Sequence, residues 1–202
     1  YRSVTTLVKN AFEKFNADKI IDNMMNSKNW PNSKYYGMTK DEIKKSWNDN
    51  KNTAATTGTN MHEMIEFYYN GIHLDKINEN KDTIEYIYFM NFVNDNSDIV
   101  PYRTEWCVYH EEYKISGSID FVAINPDGTL SFLDWKRSKK IEKYSNFNKK
   151  SIIEGLEHIP DTNYWHYILQ LNLYKFIVES KYGFKVKDLH LVVIHPENEL
   201  QN

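Results

Sequence analysis

Two carboxylates and a lysine occupy places that a turn can bring together: Asp120 in the run Gly-Ser-Ile-Asp, and Asp134 and Lys136 in Leu-Asp-Trp-Lys. Between the two runs lies Asn125-Pro126-Asp127-Gly128, in which proline fixes one dihedral and glycine tolerates positive φ, so the flanking segments are expected to fold back as a hairpin. On a strand, Asp134 and Lys136 share a face and Trp135 takes the other. Two acids beside a lysine suit metal-assisted hydrolysis of a phosphodiester. Hard carboxylate oxygens hold Mg²⁺ or Mn²⁺, the ion polarises the phosphate and lowers the pKa of a bound water, and the lysine positions or stabilises that nucleophile. An isolated Asp-x-Lys fits a salt-bridged strand end equally well, so the weight falls on what accompanies it.

Upstream, Gly58, His62 and Glu66 recur every four residues and line one helical face. A neutral imidazole at His62 could join a metal shell, Glu66 could orient the ring, and Gly58 would let another backbone approach closely. Downstream, Gln170 and Tyr174 stand one helical turn apart, where their polar tips could reach a phosphate, a base edge or the lysine. A histidine bonded to its i+4 glutamate, and a core helix with one amphipathic tyrosine, are the plainer readings of the two pairs. Residues 134–150 carry seven Lys or Arg against two acids, and Arg137, Lys139, Lys140 and Lys143 could grip phosphates beside the reacting bond. Glu105 could add a carboxylate if its side of the strand faces Asp120, which alternation alone leaves open. Trp30 and Tyr36, in a loop with Pro31 and Gly37, are candidates for base stacking. His195 reads as structural, and His158 and His166 have no partner pattern.

The elements that would position these groups follow from periodicity. Thr39-x-x-Glu42 predicts a capping box opening a short helix through Ile43 and Trp47. Met61, Ile65, Tyr68 and Tyr69 predict a second helix over 53–70, stopped at Asn70-Gly71, and Ile84, Ile87, Tyr88 and Phe92 a third. The period then changes to two, with strands expected around 102–108, 114–124 and 130–136. A long helix is expected over 163–182, ending before Gly183, and the apolar run 189–194 reads as a buried strand. The fold class is therefore α/β, a central sheet sandwiched by helices. It forms a single domain over 1–202, with a helical portion over 1–52 ahead of a core over 53–195.

With 202 residues, 41% of them hydrophobic, the chain can bury one sizeable core, and its net charge of -3 excludes a uniformly basic nucleic-acid coat, so such contact must be local. The single cysteine, Cys107, excludes an internal disulfide, a thiolate zinc cage and a four-cysteine iron–sulfur cluster, and fits a reducing, intracellular setting, the compartment left open. No apolar run is long enough to span a bilayer, so the expectation is a soluble protein with no membrane partner. The start at Tyr1 rather than Met reads as a domain excised from a longer protein, and the wealth of Asn, Lys and Tyr as coding by an AT-rich genome, viral or parasitic.

The ordered set GxxxHxxxE, GxxD, DxK and QxxxY, at residues 58–66, 117–120, 134–136 and 170–174, resembles the RecB-like, viral-type exonuclease branch of the PD-(D/E)XK nucleases over about residues 50–195. The resemblance implies a restriction-endonuclease-like core with a central mixed sheet flanked by helices. It implies Mg²⁺ or Mn²⁺ held by His62, Asp120, Asp134 and the Trp135 carbonyl, water activated by Lys136, and DNA contacts or support of the lysine from Gln170 and Tyr174. The activity implied is hydrolysis of DNA phosphodiesters by an exonuclease or end-processing enzyme in replication, recombination or repair. Its partners would be single-stranded or duplex DNA ends, with RNA left open, and a helicase or other replication or repair protein. Relatives with an iron–sulfur cluster use four cysteines, so that subtype is not expected. The other function class is a catalytically retired copy of the fold that binds nucleic acid or serves assembly, which an intact acid–acid–lysine set disfavours.

Overall fold

The computed structural model describes residues 1–145 and 147–198. A two-residue strand β1 (Arg2–Ser3) leads into helix α1 (Val4–Asn10), and helix α2 (Ala17–Met25) and a 3-10 turn at Trp30–Asn32 precede the long helix α3 (Lys40–Asn70). Helices α4 (Leu74–Glu79) and α5 (Ile84–Asp95) follow, then strands β2 (Pro101–His110), β3 (Ile115–Ile124) and β4 (Leu130–Lys136), helix α6 (Asn163–Lys181) and strand β5 (Val186–Val193). The chain divides into two units, one of residues 14–59 and one of residues 1–13 with 60–202.

In the smaller unit, Ile21 of α2 and Ile43 of α3 are fully buried, Trp47 donates its indole N–H to Tyr35 at 2.9 Å, and Lys40 and Lys44 pair with Asp22 and Asp18. The capping box at the start of α3 is reciprocal. Glu42 Oε2 accepts from Thr39 N at 2.7 Å and Thr39 Oγ1 accepts from Glu42 N at 3.3 Å, satisfying two helix-end amides. The two helices expected over 39–47 and 53–70 are one. The polar stretch between them carries no apolar stripe to signal helix, yet it contains no proline, and a lone Gly58 is tolerated in a helix at a cost of about 1 kcal/mol.

The larger unit is built on a mixed five-stranded sheet with helices on both faces, the α/β architecture expected of a restriction-endonuclease-like core. On one face, Leu171, Tyr174, Ile177 and Val178 of α6 pack on Ile115, Ile119, Val122, Leu130 and Phe132. On the other, Met61, Met64 and Ile65 of α3 and Phe89 of α5 cover Phe121, Leu133 and Trp135. Strand β4 has the predicted limits, and the turn ahead of it is closed by Asn125 N bonding Thr129 O at 2.8 Å with Gly128 at φ +79. Strand β5 runs parallel to β4 at the end of the sheet and is half exposed rather than buried, because an edge strand has a neighbour on one side only.

Two features of β3 shape the site. β2 pairs with it from Ala123 to Ile115, but on the other edge β4 meets only Phe121–Ile124 and β1 only Ile115–Ser116. Among the described residues, no strand pairs with 117–120 on that edge. The strand's alternation also changes phase at Asp120. Ile115 and Ile119 pack with Val122 on the α6 face, whereas Phe121 and Ala123 face α3 and α5. Opposite this point β2 makes a matching adjustment at Glu105, whose φ of +44 is a left-handed conformation costly for a residue with a side chain.

Gly117 lies in the gap directly under Tyr174, and a Cβ there would stand 2.7 Å from Tyr174 Cε1 and 2.9 Å from its hydroxyl. Gly117→Ala is therefore expected to overpack the α6 interface and lower stability by about 1–3 kcal/mol in chemical denaturation. Adding Tyr174→Leu should make the alanine's further cost smaller than it is in the wild-type background; equal costs in both would show that the ring is not what excludes a side chain.

Candidate metal centre and its surroundings

Beyond Phe121 and Leu133 the strands β3 and β4 part, and the Asp120 carboxylate enters the space between them. Its Oδ2 accepts the backbone N–H of Trp135 at 2.9 Å, replacing a ladder bond with a side-chain one. The next carbonyl, that of Trp135, meets His62 Nε2 at 2.9 Å. A carbonyl only accepts, so Nε2 carries the proton, and the lone pair of a neutral ring rests on Nδ1. Nδ1 points at two carboxylates, with Glu105 Oε1 at 3.6 Å and Asp120 Oδ2 at 3.7 Å. Glu105 is held from behind by the Ser118 hydroxyl, which donates to its Oε2 at 2.9 Å.

The donor atoms of His62, Glu105 and Asp120 lie within 4.8 Å of one another. The 3.6 and 3.7 Å separations from His62 Nδ1 are within the roughly 4.2 Å that two ligands about 2.1 Å from one ion can span. Two carboxylates and an imidazole with its lone pair directed inward are a donor set that fits Mg²⁺ or Mn²⁺. Asp134 stands beside this set. It is 2% exposed, its Oδ1 accepts from Gln170 Nε2 at 3.1 Å, and Lys136 Nζ lies 2.7 Å from its Oδ2 and 4.0 Å from Asp120 Oδ2.

Charge crowding shows in the acid–base behaviour. Burial first, and then the neighbouring Asp134, push the Asp120 carboxyl up to about 7. Burial pulls Lys136 down, but Asp134 and Asp120 outweigh it and hold its ammonium above the ordinary lysine range. His62 is likewise depressed by burial and raised on balance by Glu105 and Asp120, while His62 holds Glu105 below the usual carboxylate range.

The other sequence candidates fall into distinct places. Glu66 does not orient His62, because both ring nitrogens face other groups. A Cβ on Gly58 would meet nothing within 4 Å among the described residues, so the close backbone approach expected there is not made. Tyr174 is 3% exposed and packs as a ring over Gly117, with burial first and then the charges of Asp120 and Asp134 raising its hydroxyl pKa. Arg137 donates Nε to Glu85 of α5 at 2.8 Å, and this half-buried pair takes it out of phosphate binding. Lys139 pairs with Glu197, and Lys140 lies 2.7 Å from Glu142; both lysines are exposed, and such pairs are weak. Trp30 and Tyr36 meet edge to face at 5.8 Å. His195 Nδ1 accepts Glu197 N at 3.1 Å, a local structural bond.

Two residues gain weight from the structure. Glu105 enters the centre because its left-handed turn and the phase change at Asp120 aim it there, which strict alternation does not anticipate. Tyr167 was not singled out, yet Lys136 Nζ lies 5.1 Å from its ring centroid. Its position three residues before Gln170, on the same helical face, was the available signal.

In the metal-free protein, carbon-detected NMR should find the Asp120 carboxyl titrating near 7. Asp134→Asn should lower that value, since it removes a like charge and frees Lys136 to approach Asp120. An unchanged or higher value would contradict this arrangement of charges.

No family model matches the chain, and no curated protein matches it. Among solved structures, the chain is similar to an EndoMS–dsDNA2 complex at 15% identity and a TM-score of 0.30, with 56% of this chain and 45% of that chain covered. The chain thus spans less than half the length of that structure's chain.

Proposed function

We propose that this chain is a metal-dependent nuclease of the PD-(D/E)XK type that hydrolyses DNA phosphodiesters, as an exonuclease or end-processing enzyme. The observation that carries the reading is the convergence of His62, Glu105 and Asp120 on one point, with Lys136 and Asp134 beside it, at the gap in the sheet. Three carboxylates face one lysine and one histidine there, an excess of negative charge that a divalent cation balances. The order of the four sequence motifs supports the RecB-like branch and DNA as the substrate.

In this reading His62, Glu105 and Asp120 hold Mg²⁺ or Mn²⁺ and Asp134 is a further ligand that the family resemblance names, whereas the Trp135 carbonyl, also named by it, takes the His62 Nε2–H on the far side of the ring. When bound, the ion polarises the phosphate and makes a coordinated water more acidic. Lys136 stays protonated next to Asp134 and Asp120, so it acts as a cationic donor and not as a base. It orients the attacking water and meets the charge that develops on the phosphoryl oxygens as the water oxygen bonds to phosphorus and the phosphorus–ester oxygen bond breaks, the water's proton passing to solvent and the departing oxygen taking one from solvent. Gln170 fixes the rotamer of Asp134, and Asp134 in turn holds Lys136. Tyr167 covers the ammonium from the other side.

End-labelled single-stranded and duplex DNA should be degraded with Mg²⁺ or Mn²⁺ and left intact with EDTA. Lys136→Ala and Asp120→Ala should each lower the rate at least about a hundredfold while the circular dichroism spectrum is kept. If the wild-type protein with either metal cuts neither DNA nor RNA but binds DNA with an affinity that survives Asp134→Ala, the chain is a binding module on a retired fold.

A further inference from the structure

The segment between β4 and α6 carries aromatic rings that the core does not use. Tyr144 and Phe147 are the most exposed large hydrophobic side chains among the described residues, at 82% and 84%. Both stand in the basic stretch, with Lys140 and Lys143 before them and Lys149 and Lys150 after. Exposing two rings side by side forgoes apolar burial, which a ligand that covers them would recover.

The legs of this loop are fastened while its tip stands clear. Asn163, the first residue of α6, accepts from Glu142 N and donates to Lys140 O, each at 2.8 Å, and Trp165 Nε1 donates to Lys143 O at 3.1 Å. On the returning leg Asp161 N bonds Lys149 O and Ser151 N bonds Ile159 O, both at 2.9 Å. Among the described residues, Tyr144, Ser145, Phe147 and Asn148 lie between these fastenings. Tyr144 and Phe147 line one shallow cleft together with Glu142, Asp161, Thr162 and Asn163. Exposed aromatic rings suit the faces of unpaired bases, which stack on them, and the lysines around the cleft suit the backbone phosphates.

The same helix links the loop to the reacting groups. Asn163, Tyr167 and Gln170 follow one another at helical spacing on one face of α6, the last two on Lys136 and Asp134.

Resting on the nuclease reading, we infer that Tyr144 and Phe147 form a stacking platform for unpaired bases of the substrate, so that the substrate entering the site is a single strand or a frayed end. Binding is measured apart from cleavage, by fluorescence anisotropy of a labelled oligothymidine and a labelled blunt duplex in EDTA. The double variant Tyr144→Ala/Phe147→Ala should bind the single strand at least about tenfold more weakly and the duplex within about twofold of wild type. Tyr144→Phe/Phe147→Tyr, which keeps both rings, should bind as wild type does. Unchanged single-strand binding in the alanine variant, or an equal loss on the duplex, would overturn the platform, and cleavage by the wild-type protein would still stand as the separate test of the nuclease reading.

Discussion

Burying two carboxylates side by side is costly, because each loses hydration and each repels the other. Asp120 and Asp134 are brought together by the hairpin register that sets Phe121 opposite Leu133, and what surrounds them answers that cost. Trp135 N–H goes to Asp120, Gln170 to Asp134, and the Lys136 ammonium lies by both acids. Each partner comes from a regular element held by a packed core, so the cluster keeps its geometry without a loop to support it. With Glu105 included, the acids still outnumber the lysine, and burial first and then the neighbouring Asp134 keep the Asp120 pKa raised.

The sheet makes room for this cluster by giving up regularity at one place. β4 leaves β3 after Phe121, β1 takes up the edge again only at Ser116, and the interval opens the space that Asp120 and His62 occupy. The phase changes at Asp120 and Glu105 turn side chains toward the opening that a continuous pleat would send elsewhere. Gly117 contributes by absence, since only a residue without Cβ lets the Tyr174 ring close the floor of the gap. A left-handed glutamate is strained, and its persistence beside Ser118 and His62 reflects how tightly the neighbouring strand pairing holds it.

Much of this was legible in the sequence where local physics dominates. The limits of β4, the hairpin turn, the capping box at Thr39 and the helix ending before Gly183 each rest on a periodicity or a turn residue whose effect is short-ranged. The shared face of Asp134 and Lys136 follows from the period of two, and the approach of Asp120 from the hairpin turn. What escaped depended on tertiary context. Alternation could not direct Glu105, because it fails where two strands shift phase together. Helical spacing put Glu66 on the same face as His62 but could not tell that a carbonyl from β4 would claim the ring. Arg137 belonged by charge to a basic patch, yet it sits one residue past Lys136 and so on the opposite face of the strand, where Glu85 of α5 meets it.

That division of the basic stretch by strand parity has a consequence for the α6 side of the sheet. With Arg137 committed to α5, the cations near the reacting groups are Lys136, locked between acids, and the exposed lysines of the following loop. The lysines are long, flexible and weakly paired, so by themselves they attract a polyanion without fixing its register. Register has to come from rigid groups, and α6 presents these in a line: Asn163 clamps the loop legs, Tyr167 lies against the lysine, and Gln170 sets Asp134. A helix of nineteen residues with a buried apolar face is stiff enough to keep those three in step. In the proposed nuclease reading, attraction and alignment are thus divided between the loop and the helix that anchors it.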